Sequence, residues 1–169
     1  MHDPPSLLYI AGIPASGKSH FGKWLEANHG YLHIDAELPG RLDALGLHGV
    51  WDAALTRTDA RLLVDAFRDK GRTIILNWGF PPAFLPFITS LRSAGFSLWW
   101  FDSDVSAARI AYCEVGRAPM SFEGQVAKIT AAWPEIQHVF VPNIVRVLEA
   151  DGSRIPPAEI FRIIRGNES

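Results

Sequence analysis

Five short apolar runs punctuate the chain: Ser6–Ala11, Tyr31–Ile34, Thr73–Leu76, Ser97–Phe101 and Ile144–Leu148. They are nearly continuous rather than alternating, the pattern of strands buried on both faces. Between them lie stretches of helical length, Lys18–Asn28, Val50–Lys70, Pro82–Ala94, Val105–Glu114, Phe122–Val139 and Pro157–Ile164. Gly30, Gly71 and Gly95 fall where a left-handed C-terminal cap is expected, and Pro82 and Pro157 suit a first helical turn. Strands alternating with helices predict an α/β fold, a five-stranded parallel sheet covered by helices on both faces. No internal repeat, low-complexity tract or linker interrupts the sequence, so residues 1–169 read as one domain.

A parallel sheet gathers its binding loops at the carboxyl ends of its strands. Here those ends read Gly12–Ser19, Asp35-Ala36-Glu37, Asn77-Trp78-Gly79, Asp102-Ser103-Asp104 and Asp151-Gly152-Ser153. All are polar or glycine-rich, so chemistry is expected along that rim.

The first of these ends is the most specific. Gly12-Ile13-Pro14-Ala15-Ser16-Gly17-Lys18-Ser19 has the spacing G-x-x-x-x-G-K-[ST] of a phosphate-binding P-loop, set between a strand and a helix. Backbone N–H groups freed at such a turn converge on one point and bind phosphate. Gly12 and Gly17 permit torsions and approaches that a Cβ hinders, and Pro14, Ala15 and Ser16 complete the loop. Lys18 can reach the β- and γ-phosphates of a nucleotide, the Ser19 hydroxyl can ligate Mg²⁺, and His20 follows on the same helix end. ATP and Mg²⁺ are the expected ligands.

Asp35 ends the second strand, close to the P-loop. Its carboxylate either caps the following segment, with Glu37 as a first-turn acid, or takes a proton from a substrate hydroxyl during phosphoryl transfer; the two roles are compatible. Glu37 and Arg41 extend the same surface, and Arg41 either pairs with an anionic substrate group or is solvated. Trp51 and Trp78 either stack on a substrate or pack in the core, whereas Trp99 and Trp100 lie in a buried strand. His29 and His33 have a metal-ligand spacing only on a shared helix, which Gly30 interrupts.

With Asn77-Trp78-Gly79-Phe80 after the third strand and an arginine-bearing segment late in the chain, the whole resembles the P-loop small-molecule and nucleotide kinases. It is similar to the shikimate-kinase-like and gluconate-kinase-like enzymes, to the zeta-toxin and chloramphenicol phosphotransferase group, and to small P-loop ATPases described as kinases. The resemblance implies a three-layer α/β/α sandwich with strand order 2-3-1-4-5. It also implies ATP-dependent transfer of the γ-phosphoryl group to a bound hydroxyl or phosphate. A lid near residues 114–124 is expected, from which Arg117 swings onto the phosphates, with Arg109 on the preceding helix. The loop bearing Asp151, Gly152 and Ser153 is expected to pack on adenine, and the region beginning at Trp51 to cover the acceptor site. Lys18, Asp35 and Arg117 are then the catalytic set, and Glu37, Arg41, Trp51, Asn77, Trp78 and Gly79 the candidate acceptor contacts. Asn77 is the departure: many relatives carry an acid there to hold Mg²⁺, and a neutral amide either serves a metal-bound water or reads substrate.

Composition narrows the partners. A formal net charge of −2 and a sequence pI near 6.3 argue against a large nucleic-acid or anionic-membrane footprint. One cysteine, Cys113, cannot form an internal disulfide, and neither a leader nor a membrane span is apparent. The reading is a cytoplasmic-type kinase, monomeric or homodimeric, of a small-molecule hydroxyl. Alternatives are a nucleotide-binding switch and a nucleotide or polynucleotide-end kinase.

Overall fold

The computed structural model describes residues 6–68 and 70–166. Five strands, β1 (Leu7–Gly12), β2 (Leu32–Asp35), β3 (Ile74–Asn77), β4 (Ser97–Ser103) and β5 (Ile144–Leu148), form one sheet in the order β2-β3-β1-β4-β5. Every pairing is parallel. The helices are α1 (Lys18–His29), α2 (Arg41–Ala44), α3 (His48–Arg57), α4 (Arg61–Arg68), α5 (Leu85–Ser93), α6 (Val105–Glu114), α7 (Pro119–Ala131), α8 (Trp133–Phe140) and α9 (Pro157–Gly166). A 3₁₀ turn, Pro82–Phe84, precedes α5.

Side chains of a strand alternate between the faces of its sheet, and β4 shows where each goes. Phe101 meets Phe21 of α1, and Trp100 meets Trp133 and Phe140 of α8. Through Trp24 and Phe161, α1 also packs against α9. Phe87 of α5 joins Trp78, and Phe80 joins Phe140, so α5 and α8 share the opposite face. The result is the three-layer α/β/α sandwich with the expected strand order.

Three strands lie one residue later than the apolar runs. Asp35 and Asn77 are polar, yet they pair with each other in register, and Asn77 also pairs with Ile10. The ladder therefore continues through the first functional positions.

Two long helical stretches are broken. The expected helix Val50–Lys70 divides into α3 and α4 at Thr58, whose φ of 53° lies in the left-handed region. The stretch Phe122–Val139 divides at Ala132, because Pro134 lacks the N–H that a continuing helix needs and instead sits in the first turn of α8. The segment 114–124 holds a connection from Val115 to Ala118 and then the first turns of α7, with Pro119 at its start.

The close approach of α1 to the sheet sets the depth of the phosphate loop. A Cβ on Gly22 would overlap the imidazole of His33, so α1 meets β2 at a distance only glycine allows. Gly22→Ala is expected to destabilise the fold by about 1–3 kcal/mol through overpacking. A mid-helix Gly→Ala change ordinarily gains roughly 1 kcal/mol. Urea unfolding of the two proteins gives the sign.

Candidate functional site

The P-loop joins β1 to α1 with no room to spare at Gly12. A Cβ there would lie 2.7 Å from both the Phe101 carbonyl oxygen and Ser16 Oγ. Gly17 caps α1 with φ 90°, and Ala15, at φ 62°, is one of two non-glycine residues with positive φ among those described. Ser16 is buried, and its hydroxyl has no hydrogen-bond partner among the described residues.

Lys18 is buried and donates from Nζ to the carbonyls of Gly12 and Ile13, at 3.1 Å each. Burial lowers its pKa, Glu37 and Asp35 oppose that shift, and Arg117 adds to it. Two carboxylates and one guanidinium thus lie close enough for their charges to act on Lys18. Ser19 Oγ donates to Asp35 Oδ2 at 2.5 Å, while Asp35 Oδ1 accepts the backbone N–H of Glu37 at 3.0 Å. Asp35 is therefore tied both to the P-loop hydroxyl and to its own turn. This hydroxyl–carboxylate pair is hard-oxygen chemistry suited to Mg²⁺. No group of three or more His, Cys, Asp or Glu among the described residues could hold a metal alone, so phosphate oxygens and water would complete its shell.

A cavity of about 110 Å³ opens beside Lys18. Gly12, Pro14 and Lys18 line it from the P-loop, Glu37 from the turn after β2, Gly79 to Pro82 from the segment after β3, and Gln125, Lys128 and Ile129 from α7. Gly79 lies under the Glu37 carboxylate, since a Cβ there would be 3.0 Å from Oε1. Two larger, shallower grooves, between α5 and α8 and beside α9, share no residue with the P-loop.

On the other side, Asp151 Oδ1 accepts the N–H of Ser153 at 2.8 Å, and Gly152 N–H bonds to the Glu149 carbonyl. This turn brings Arg154 onto the P-loop, where Nη2 donates to the Ala15 carbonyl at 3.1 Å. Its Nη1 lies 3.2 Å from where a Gly17 Cβ would be.

No protein-family model and no curated protein sequence matches this chain. Solved structures do. A shikimate kinase from Acinetobacter baumannii in complex with shikimate aligns over 98% of this chain and 95% of its own, with TM-score 0.63 and 15% identity. A gluconokinase from Sinorhizobium meliloti 1021 aligns over 98% and 92%, with TM-score 0.53 and 16% identity. A deoxyadenosine kinase from M. mycoides with bound dATP aligns over 95% and 97%, with TM-score 0.51 and 13% identity. The chain has the P-loop kinase fold.

Within that fold, several candidate residues stand where other interactions already use them. Trp51 is buried, its ring edge-on to Trp78 at 5.1 Å and to Phe87 at 5.9 Å. Its indole is part of the aromatic core. Arg41 donates from Nη2 to the His33 carbonyl at 2.6 Å and pairs with Glu26 at 3.3 Å, so it clamps β2 to α1. Arg109 pairs with Glu123 at 3.1 Å across α6 and α7. Arg117 is exposed and lies over the Tyr112 ring at 5.3 Å, and His20 is exposed on α1. Asn77 is fully buried. Its Oδ1 bonds to His33 Nε2, and its Nδ2 has no partner.

Lys128, Gln125 and Arg154 were not among the sequence candidates. The first two follow an i, i+3 spacing on α7, but a spacing alone does not say which helix face meets the P-loop. Arg154 directly follows the recognised Asp151–Ser153 turn, and only the folded chain brings it across 139 residues of sequence to Ala15.

Burial lowers the pKa of His33, the Asn77 hydrogen bond, Asp35 and Glu26 oppose that shift, and Arg41 reinforces it. The folded protein thus holds His33 neutral, while the unfolded chain protonates it near pH 6.5. Stability is expected to fall as pH drops below about 6.5, where the unfolded chain binds a proton the folded one rejects. Chemical unfolding between pH 7.5 and 5.5 should show a shallower slope for His33→Gln than for the parent.

Proposed function

We propose that the protein is an ATP- and Mg²⁺-dependent kinase that transfers the γ-phosphoryl group to a hydroxyl of a small molecule. The observation that carries this reading is the cavity lined by the P-loop, by Glu37 and by α7. It provides an acceptor space that opens directly onto the phosphate-binding lysine.

In this reading the P-loop amides and Lys18 hold the β- and γ-phosphates, and Lys18 leaves the Gly12 and Ile13 carbonyls to do so. Ser19, oriented by Asp35, is the protein's ligand to Mg²⁺, which when bound neutralises phosphate charge. Asp35 thereby acts as the orienting acid of the P-loop. Glu37 becomes the carboxylate facing the acceptor, because it is exposed and lines the cavity beside Lys18. It accepts the hydroxyl proton as the acceptor oxygen bonds to the γ-phosphorus and the bond to the β-phosphate oxygen breaks, releasing ADP. Arg117, carried by the connection between α6 and α7, turns from Tyr112 onto the transferring group, the lid motion of this reading.

The size of the space favours a compact acceptor over a nucleotide or a polynucleotide end. Phe80, Pro81, Pro82 and Ile129 suit an aliphatic or alicyclic body, and Lys128 at the rim suits an anionic group on it. The shikimate and gluconate kinases among the structural neighbours carry names consistent with such an acceptor.

Glu37→Gln removes the proton acceptor while keeping the side chain's size. Phosphoryl transfer is expected to fall by about 10²–10⁴-fold with Mg–ATP affinity nearly unchanged, as for loss of a general base. Asp35→Asn should instead weaken the Mg²⁺ dependence through Ser19. Single-turnover rates and Mg²⁺ titrations on both variants separate the two carboxylates, and full transfer by Glu37→Gln removes Glu37 from the chemistry.

A further inference from the structure

Tyr9 lies on β1, three residues before the P-loop, and is completely buried. Its ring stacks on Phe140 at 6.3 Å, on the sheet face opposite α1. From there its hydroxyl reaches the end of the neighbouring strand and donates to the Trp78 carbonyl at 2.9 Å. The Trp78 N–H, in turn, donates to the Ile10 carbonyl at 3.4 Å. Both polar groups of the Trp78 peptide positions are thus held by β1, one by a side chain and one by the backbone. Beyond this double attachment the chain leaves the sheet as Gly79, against which the Glu37 carboxylate rests, and then becomes the Phe80–Pro82 wall of the cavity.

We infer that Tyr9 is a positioning residue for phosphoryl transfer: its hydroxyl fixes the Trp78 carbonyl and so sets Gly79, and through it Glu37, at working distance from Lys18. The inference rests on the kinase reading above. The Trp78 ring does not replace this restraint, because its contacts with Trp51, Phe80, Phe84 and Phe87 are aromatic and act on the side chain. A hydrogen bond to the main chain fixes the height of the next peptide directly. Burial, with Glu37 nearby, pushes the Tyr9 pKa well above the usual phenol value, so the hydroxyl keeps its proton and remains a donor. A polar group buried in the core therefore acts on an exposed acid beyond the strand ends.

Tyr9→Phe keeps the ring and deletes only the donor. Gly79→Ala disturbs the far end of the same relay by placing a Cβ against Glu37. ADP release is measured with shikimate and gluconate as acceptor probes, above the background with water alone, and Mg–AMP-PNP affinity is measured by calorimetry on the same proteins. Each single variant should lower kcat about tenfold, with the ATP KM and Mg–AMP-PNP affinity within twofold of the parent. Because both act through one carboxylate, the double variant should lose no more than the worse single, whereas independent effects would multiply. Unchanged kcat in Tyr9→Phe, a matching loss of nucleotide affinity, or multiplicative losses in the double variant would overturn the proposal. A parent protein that binds Mg–AMP-PNP but releases no ADP with any probe overturns the kinase reading itself and this inference with it. That outcome differs from an active parent indifferent to Tyr9→Phe.

Discussion

The phosphate-binding end of the sheet depends on the contact at Gly12, where the chain turns out of β1 with the Phe101 carbonyl and the Ser16 hydroxyl against it. No side chain fits there. The backbone of β4 is therefore in contact with the start of the P-loop, and the loop can curl over the sheet end with its amides exposed. Gly22 repeats the device one turn further along, letting α1 settle onto His33. Both contacts hold α1 close against the sheet directly after the P-loop. A helix N-terminus in such a position suits an anion.

Charge is then distributed around that point in an order set by strand register. Asp35 and Asn77 are paired neighbours, yet their surroundings differ. Asp35 meets Ser19, while Asn77 turns to His33 and is sealed from solvent. A charge at Asn77 would have to be buried, whereas the neutral amide is held by a neutral imidazole; the acid that serves the P-loop hydroxyl stands on β2 instead. Glu37 lies two residues further, outside the sheet, where its carboxylate is free to meet a ligand. Lys18 feels both acids, whose charges oppose the lowering of its pKa by burial.

The apolar runs made the sheet legible because parallel strands buried on both faces cannot be mistaken for amphipathic ones. They ended early at Asp35 and Asn77, since polarity marks the edge of the core and not the edge of the hydrogen-bond ladder. Pro134 carried a readable signal for the break between α7 and α8, while the left-handed turn at Thr58 had none as clear. The P-loop was legible as a motif because its function is performed by backbone geometry that requires particular residues at fixed spacing. The opposite held for the acceptor side. Lys128 and Gln125 reach the cavity through the rotation of a helix, and Tyr9 reaches Trp78 by the span of a phenol across the sheet, neither of which leaves a local pattern. Trp51 shows the converse, a large side chain whose sequence position suited a pocket and whose neighbours Trp78 and Phe87 draw it into the core.

In the proposed reaction the γ-phosphoryl group passes from the P-loop to a small acceptor held in the Glu37 cavity. Incubating the protein with Mg²⁺, ATP labelled with ¹⁸O in the γ-phosphoryl group, and a mixture of small hydroxylated metabolites tests it most directly, with products identified by mass spectrometry. The account predicts that the label appears in a phosphate ester of a compact hydroxyl compound, with ADP formed in equal amount. Label found only in inorganic phosphate, or only in a nucleotide or polynucleotide, would contradict it.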